Sequence, residues 1–223
     1  MKIEVVTLFP KMFVGPFDES IIKRAREKGL VEIVIHDIRK WAKDRHKSVD
    51  DRPYGGGVGM ILKVEPVYEA LKELKSKNSK IILLTPQGKT FNQTLARKLS
   101  KFQHLILIAG HYEGYDERIR KHLVDEEISI GDYVLTGGEL PAMVLVDAVA
   151  RLVPKVLVKP EALRHESFNQ NQGLDYPQFT RPEKFQGWRV PKVLLSGNHK
   201  EIEKWRKKES FKTTKKNRPD LIK

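Results

Sequence analysis

The sequence contains no cysteine. That removes disulfide frameworks, thiolate zinc sites, thiol nucleophiles and iron–sulfur ligation in one step, and it fits a reducing, cytoplasmic setting. Long hydrophobic runs are missing as well. The longest, such as Leu105–Ala109 and Ala142–Val146, fall far short of the ~18–20 apolar residues that a bilayer span requires, so no membrane partner is expected. Met1–Pro10 carries Glu4 and reads as a strand, not a signal peptide. The seven histidines are scattered, without a His-Glu-x-x-His pattern, which disfavours a zinc site. Acidic residues are scarce relative to basic ones, 29 against 42, leaving a formal net charge of +13.

Of the 223 residues, 39% are hydrophobic, enough for a core and too many for wholesale disorder. The positive charge is concentrated: residues 184–223 hold 13 basic and 4 acidic side chains, +9 of the +13. Lys204, Arg206, Lys207 and Lys208 surround Trp205, and Lys212, Lys215, Lys216 and Arg218 follow Phe211. Cations interleaved with aromatics suit a nucleic-acid backbone and predict salt-sensitive binding. A solvated helix face anchored by Trp205 is the competing reading.

Strand and helix patterns alternate along the chain. Strands are expected at Ile3–Leu8, Val31–His36, Lys80–Leu84, His104–Ala109 and Glu127–Ile130, and helices at Ser20–Lys28, Glu65–Lys77, Gln93–Ser100, Asp116–Leu123 and Pro141–Leu152. Ile81–Leu84 and Leu105–Ala109 are apolar without alternation, as strands covered on both faces of a parallel sheet should be. The fold class is therefore α/β with a mostly parallel sheet. Pro141–Leu152 is apolar all round and belongs in a core or against a second subunit. The polar stretch Ser167–Gly173 reads as a linker. This divides the chain into residues 1–160, a linker 161–175, and a small, basic, mainly helical unit at 176–223.

Two nucleotide motifs fail. Gly88-Lys89-Thr90 follows a strand, but the P-loop glycine five residues earlier is Leu83. Gly55-Gly56-Gly57-Val58-Gly59 has no strand before it and lacks the third glycine of a dinucleotide fingerprint. What remains is three glycine-bearing turns at expected strand ends: Thr85–Gly88, Gly110–Gly114 and Ser129–Gly138. Ligands of open α/β sheets bind at such ends, where glycine lets the backbone approach closely.

Asp51-Arg52-Pro53-Tyr54-Gly55-Gly56-Gly57, Gly110–Gly114 followed by Asp116-Glu117-Arg118, the stretch Ser129–Pro141, and Thr180-Arg181-Pro182-Glu183 resemble the bacterial tRNA (guanine-N1)-methyltransferases of the SPOUT class. The resemblance runs from Met1 to about Leu221. It implies that the sheet domain carries a C-terminal trefoil knot in which S-adenosylmethionine binds. The matching positions are Thr85, Pro86, Gln87, Gly88, Gly110, Tyr112, Glu113, Gly114, Ser129, Ile130, Gly131, Asp132, Tyr133, Val134 and Leu135, with Gly137, Gly138 and Pro141 shaping the wall. The implied reaction methylates N1 of the guanine immediately 3′ of the tRNA anticodon, which requires a general base and stabilisation of charge on O6. By family correspondence Arg151 stabilises that charge and Glu166 is the base, with Asp175 as the second acid. The family usually has aspartate at the position of Glu166, and the spacing to Asp175 is one residue longer here. Without the family, exposed linker carboxylates would be the simpler reading of both. Asp50, Arg52, Tyr54, Gly55, Gly56 and Gly57 belong to a loop implied to order over the target base. A homodimer with its active site between subunits is also implied, as is a magnesium ion, for which Glu113, Asp132, Glu166 and Asp175 are candidate ligands. Two other readings stay open: a SPOUT enzyme acting on ribosomal RNA or a ribose hydroxyl, and a non-catalytic RNA-binding protein with the same fold.

Overall fold

The computed structural model describes residues 1–159, 163, 166–169 and 173–222. The chain divides into two compact units, Met1–Val158 and Lys159–Lys223. Seven residues of the expected linker, 161, 162, 164, 165 and 170–172, lie outside the described residues, as do Pro160 and Lys223.

In the first unit a five-stranded, wholly parallel sheet has the order β2-β1-β6-β5-β7, formed by β1 (Lys2–Thr7), β2 (Glu32–Asp37), β5 (Ser79–Thr90), β6 (His104–Ala109) and β7 (Glu126–Ser129). The period of two divides each central strand between two cores. Leu105, Leu107 and Ala109 of β6, with Ile82 and Leu84 of β5, face one cluster, while Ile106, Ile108, Ile81 and Leu83 face the other. The first face is covered by α1 (Ser20–Glu27), α3 (Gln93–Leu99) and α5 (Glu139–Ala150), the second by α2 (Val64–Leu74) and α4 (Glu117–His122). Every residue of β6 is buried, so the missing polar alternation noted in the sequence has its cause in a strand packed on both faces.

Helix ends follow local chemistry. Asn92 accepts from Leu95 N–H at 3.0 Å and caps α3; its glycosylation-like sequence Asn92-Gln93-Thr94 is thus a capping site. Asp116 caps α4 through Arg118 N–H. Gly29, at φ +65°, ends α1 with Gly29 N–H on Arg26 C=O and Leu30 N–H on Ala25 C=O, the paired bonds of a Schellman stop. The helix expected at Pro141–Leu152 instead begins at Glu139 and ends at Ala150. Five of its apolar residues, Ala142, Leu145, Val146, Val149 and Ala150, are in the core, whereas Leu140 and Val144 face solvent.

Two differences from the sequence expectation matter for the site. β5 does not end at Leu84: the chain makes a four-residue excursion at Thr85–Gly88 and rejoins the sheet, so that Leu84 and Lys89 both stand opposite Ile128. The glycine loop after Val49 is rooted on a short antiparallel ladder, β3 (Asp50–Asp51) and β4 (Ile61–Leu62).

The second unit contains a hairpin of β8 (Lys184–Phe185) and β9 (Trp188–Arg189), a single helical turn α6 (Lys192–Leu195), and the 19-residue α7 (His199–Asn217). The hairpin departs from the mainly helical expectation for this unit; its turn, Gln186-Gly187, takes positive φ at both residues. Asn198 caps α7 through Glu201 N–H. Ser210 Oγ donates to Leu174 C=O at 2.6 Å, and Leu174 N–H donates to Thr214 Oγ1 at 2.8 Å. A Cβ on Gly173 would lie 2.2 Å from Thr214 Cγ2. The end of the expected linker is therefore fastened to α7. Among the described residues, no helix is long and apolar enough to cross a membrane.

Candidate active site

A cleft of about 430 Å³ opens at the C-terminal ends of β5, β6 and β7. This size suits a ligand of nucleoside dimensions. Three chain segments form it. The excursion after Leu84 supplies Thr85, Pro86 and Gln87; the loop after β6 supplies Gly110, Tyr112, Glu113 and Gly114; the loop after β7 supplies Ile130, Gly131, Tyr133, Val134, Leu135, Gly137, Gly138 and Pro141, together with Ser129 at the strand end.

Gly88 and Asp132 do not line it. For Gly88 the reason is packing: a Cβ there would stand 2.4 Å from Ile128 N, so glycine lets the excursion close back onto β7. Asp132 is exposed at the loop surface. Conversely, Ile61, Leu84, Tyr115 and Ile128 line the cleft without having been expected there. Leu84 and Ile128 end apolar strands, a signal the sequence does carry. Tyr115 follows a recognised turn, and only the fold shows that its hydroxyl reaches Thr85 Oγ1 at 3.2 Å and Gln87 Oε1 at 3.3 Å.

The loops are cross-tied. Gly138 N–H donates to Gly110 C=O at 2.6 Å, and a Cβ on Gly138 would lie 2.8 Å from Ala109 Cα. Only glycine permits that approach. Gly131, at φ +152°, lies under the Tyr133 ring, and the Tyr133 hydroxyl donates to Ile130 C=O at 3.3 Å. Tyr112 holds φ +65°, costly for a bulky residue and common where a site over-determines the backbone. Its hydroxyl donates to Asp50 Oδ1 at 3.1 Å. Burial, then the Asp50 charge and hydrogen bond, push the Tyr112 phenol up, keeping it a donor. Burial likewise pushes Tyr115 up, against a smaller opposing effect of its bond to Thr85.

The Asp50–Met60 loop is seated on this rim. Glu113 N–H donates to Met60 C=O at 3.1 Å and Leu62 N–H to Gly114 C=O at 3.0 Å. Gly55, Gly56, Gly57 and Gly59 all take positive φ, and Tyr54 and Val58 project into solvent. Arg52 N–H donates to its neighbour Asp51. The loop thus has a fixed base beside the cleft and an exposed tip.

Arg151 caps the C-terminal end of α5, its N–H donating to Asp147 C=O. Pro141, at the opposite end of the same helix, touches the cleft. Ten residues of helix separate them by about 15 Å along the axis. Glu166 and Asp175 are in the second unit. Asp175 N–H donates to Ser167 Oγ at 2.9 Å; its carboxylate accepts from Tyr176 N–H and Gln178 Nε2. Phe168 N–H donates to Gly173 C=O at 2.8 Å.

On α7, Lys204, Lys207, Lys208, Lys212, Lys215 and Lys216 are exposed. Arg206 differs: its guanidinium lies 4.7 Å from the centroid of the Tyr176 ring and its Nε is buried. Trp205 faces Phe179 at 6.3 Å. The basic run is therefore both a cationic face and, at Trp205 and Arg206, a packing surface.

The cleft chemistry fits S-adenosylmethionine. Backbone polar groups at Gly110–Gly114 and Ile130–Gly138 suit a purine edge and ribose hydroxyls, Ile130 and Leu135 give an apolar wall, and the Glu113 carboxylate suits a cation. Among the described residues no three His, Asp or Glu side chains converge as a metal site.

The family model described as tRNA (Guanine-1)-methyltransferase TrmD matches residues 1–223. A protein of Dictyoglomus turgidum named tRNA (guanine-N(1)-)-methyltransferase is 57% identical over 222 residues, covering 100% of this chain and 90% of its own length. Proteins of the same name from Carboxydothermus hydrogenoformans and Halalkalibacterium halodurans are 57% and 52% identical, again over 100% of this chain and over 88% and 91% of their own lengths. With the parallel sheet, the cross-tied glycine loops and full-length similarity in agreement, this chain belongs to the tRNA (guanine-1)-methyltransferase TrmD family.

Proposed function

We propose that this protein transfers a methyl group from S-adenosylmethionine to N1 of the guanine immediately 3′ of the tRNA anticodon, position 37. The observation that carries this reading is the cleft at the ends of β5, β6 and β7, whose walls are the segments that resemble the family's cofactor site. The loop after β7 returning to Gly110 is where the family's trefoil knot would lie.

Bound S-adenosylmethionine supplies an electrophilic methyl group on a sulfonium. The protein must supply the rest. Guanine N1 carries a proton at neutral pH, so a carboxylate must take it as the new N–C bond forms. Glu166 fills that role, and Asp175 orients the segment around it through its bonds to Ser167, Tyr176 and Gln178. Negative charge moves onto O6 as the proton leaves, and Arg151 meets it with a guanidinium. Arg151 stands about 15 Å along α5 from Pro141 of its own cleft, and in a homodimer it serves the cleft of the partner. The exposed Leu140 and Val144 of α5 supply an apolar surface for that association. Tyr54 and the glycine-rich tip at Gly55–Gly57 close over the target base. The exposed lysines of α7 hold the tRNA backbone. The residues named all lie in a cytoplasmic, soluble enzyme on this reading.

The test is incubation with labelled S-adenosylmethionine and a tRNA transcript carrying guanine or adenine at position 37. Label should enter the guanine transcript alone, at N1; equal labelling of both ends the guanine-N1 assignment.

A further inference from the structure

Behind the cleft lies a polar cluster that the proposed chemistry does not use. Glu139, the first residue of α5, is 1% exposed. Its Oε1 accepts from Thr7 Oγ1 at 2.7 Å, and Thr7 Oγ1 accepts from Phe9 N–H at 2.9 Å. Its other oxygen, Oε2, is buried without a hydrogen bond. Facing it at 3.6 Å is His111 Nδ1, also buried without a hydrogen bond. Two complementary polar atoms are thus aimed at each other, within ion-pair range and short of a hydrogen bond. Buried polar atoms in native structures are nearly always satisfied, so an isolated facing pair calls for a reason.

The placement supplies one. His111 lies on the loop after β6 and lines the cleft, while Glu139 follows directly on Gly137 and Gly138, which line it from the loop after β7. Gly137 belongs to the same arrangement, because a Cβ there would stand 2.3 Å from both Glu139 Oε2 and His111 Nδ1. Any side chain at 137 would force the two apart. Phe9 packs edge-on against the His111 ring, with centroids 4.6 Å apart, which limits how the ring can turn. At the helix N-terminus, the α5 dipole favours a negative side chain at position 139.

We propose that Glu139 is a positioning residue: when the cleft is filled, His111 Nδ1–H closes onto Glu139 Oε2 and braces the β6 loop against the β7 loop around the ligand. A movement of about 0.7 Å brings the pair to ordinary hydrogen-bond length. Thr7 fixes the carboxylate from β1, so the brace ties the end of a central strand to both ligand loops. The inference rests on the reading of the cleft as the S-adenosylmethionine site.

The experiment pairs calorimetric titration of the whole protein with S-adenosylmethionine and nitrogen-15 NMR of the His111 side chain. In the wild type, ligand should convert His111 to the form with Nδ1 protonated and hydrogen-bonded. Glu139→Gln should abolish that change and weaken S-adenosylmethionine binding about tenfold, with the loss falling on KM more than on kcat. If Glu139→Gln does not fold, His111→Asn against His111→Phe carries the test, since the asparagine amide can donate from nearly the same place and should retain affinity that phenylalanine loses. A wild-type His111 spectrum unchanged by bound ligand, or equal affinities for Asn and Phe at 111, overturns the brace. No binding by the wild type at all overturns the cofactor reading itself.

Discussion

The two units of this chain are built on different physics. In Met1–Val158 the sheet is buried on both faces and two apolar clusters fill the space beneath the helices. In the second unit, Thr214 is the one buried residue among those described. There, order comes from Thr214 and Ser210 hydrogen-bonding Leu174, from Arg206 over Tyr176, from Arg218 paired with Asp220, and from exposed i,i+3 and i,i+4 ion pairs such as Glu201 with Lys204. Charges follow the same division. Glu4 and Glu139 are buried and specifically bonded, whereas the lysines of α7 stand in water. A unit with a core on both faces of its sheet can hold a small ligand by closely fitted backbone contacts. A sparsely buried, cationic unit suits a large polyanion, for which many weak contacts suffice.

The largest losses are expected where the methyl-transfer chemistry itself is removed. Glu166→Gln should slow single-turnover methyl transfer by about 10²–10⁴-fold while S-adenosylmethionine affinity stays at the wild-type value, because a general base contributes on that scale and the cleft belongs to the other unit. Wild-type single-turnover rates would transfer the role to Asp175. Arg151→Ala should cost about 10²–10³-fold in kcat, the usual loss on removing a group that stabilises developing charge. Its distance from the cleft adds a second readout. Mixing Arg151→Ala with Gly138→Val chains should restore about a quarter of wild-type activity through mixed dimers, as expected when two chains share each site of a symmetric dimer. No recovery on mixing would place Arg151 outside the partner's site.

A smaller effect tests the second unit alone. Replacing Lys204, Lys207 and Lys208 with alanine should weaken tRNA binding about 10–100-fold and lower the slope of log affinity against log salt by up to about 2–3, while cofactor affinity is unchanged. Arg206 is left out of this set because it rests on Tyr176; its loss would disturb packing as well as charge. Loss of S-adenosylmethionine binding in the triple variant would show that the units do not divide the work.

How much of this was legible beforehand also follows the division. The parallel sheet was readable because Ile81–Leu84 and Leu105–Ala109 are apolar without alternation, a direct consequence of double-sided burial. Most of the cleft was readable because glycines cluster where loops approach closely. The excursion at Thr85–Gly88 was not, since a strand that leaves and rejoins a sheet has the same local sequence as a strand followed by a turn. Gly88, a ligand position by resemblance, is packed against Ile128. Glu139 and His111 each lie in a stretch the sequence singles out, Ser129–Pro141 and Gly110–Gly114, but their pairing depends on two loops distant in sequence meeting behind the cleft. In the second unit, charge was evident but not its allocation: nothing in the run Lys204–Lys208 distinguishes Arg206, stacked on an aromatic ring, from the lysines beside it.

A milder change is expected at a charge buried in the first unit, Glu4, which serves structure. Glu4, 1% exposed, accepts from Lys2 Nζ at 2.7 Å, bonds His36, and meets His104 Nε2 at 2.9 Å, with His104 Nδ1 in turn on Ser79 Oγ at 2.7 Å. Burial pushes its carboxyl up, but the hydrogen bonds and charges of Lys2 and His36 outweigh burial and hold it below the usual carboxylate range. A carboxyl that ionises more readily in the folded state than in the unfolded chain stabilises the fold above its unfolded pKa. That contribution disappears as pH falls through its lower folded value. Glu4→Gln should therefore cost about 1–3 kcal/mol near pH 7, the scale for disturbing a buried charged hydrogen bond. Its stability should also decline less steeply than the wild type's in acid, a difference measurable by denaturant titration from pH 7 down to pH 3. If the two profiles remain parallel, Glu4 does not carry the pH dependence and the network is neutral packing. Ser79 and His104 of the network begin β5 and β6, at the ends away from the cleft, so S-adenosylmethionine affinity should be unaffected at pH 7. That leaves stability as the quantity that separates a buried structural charge from the exposed functional charges of α7.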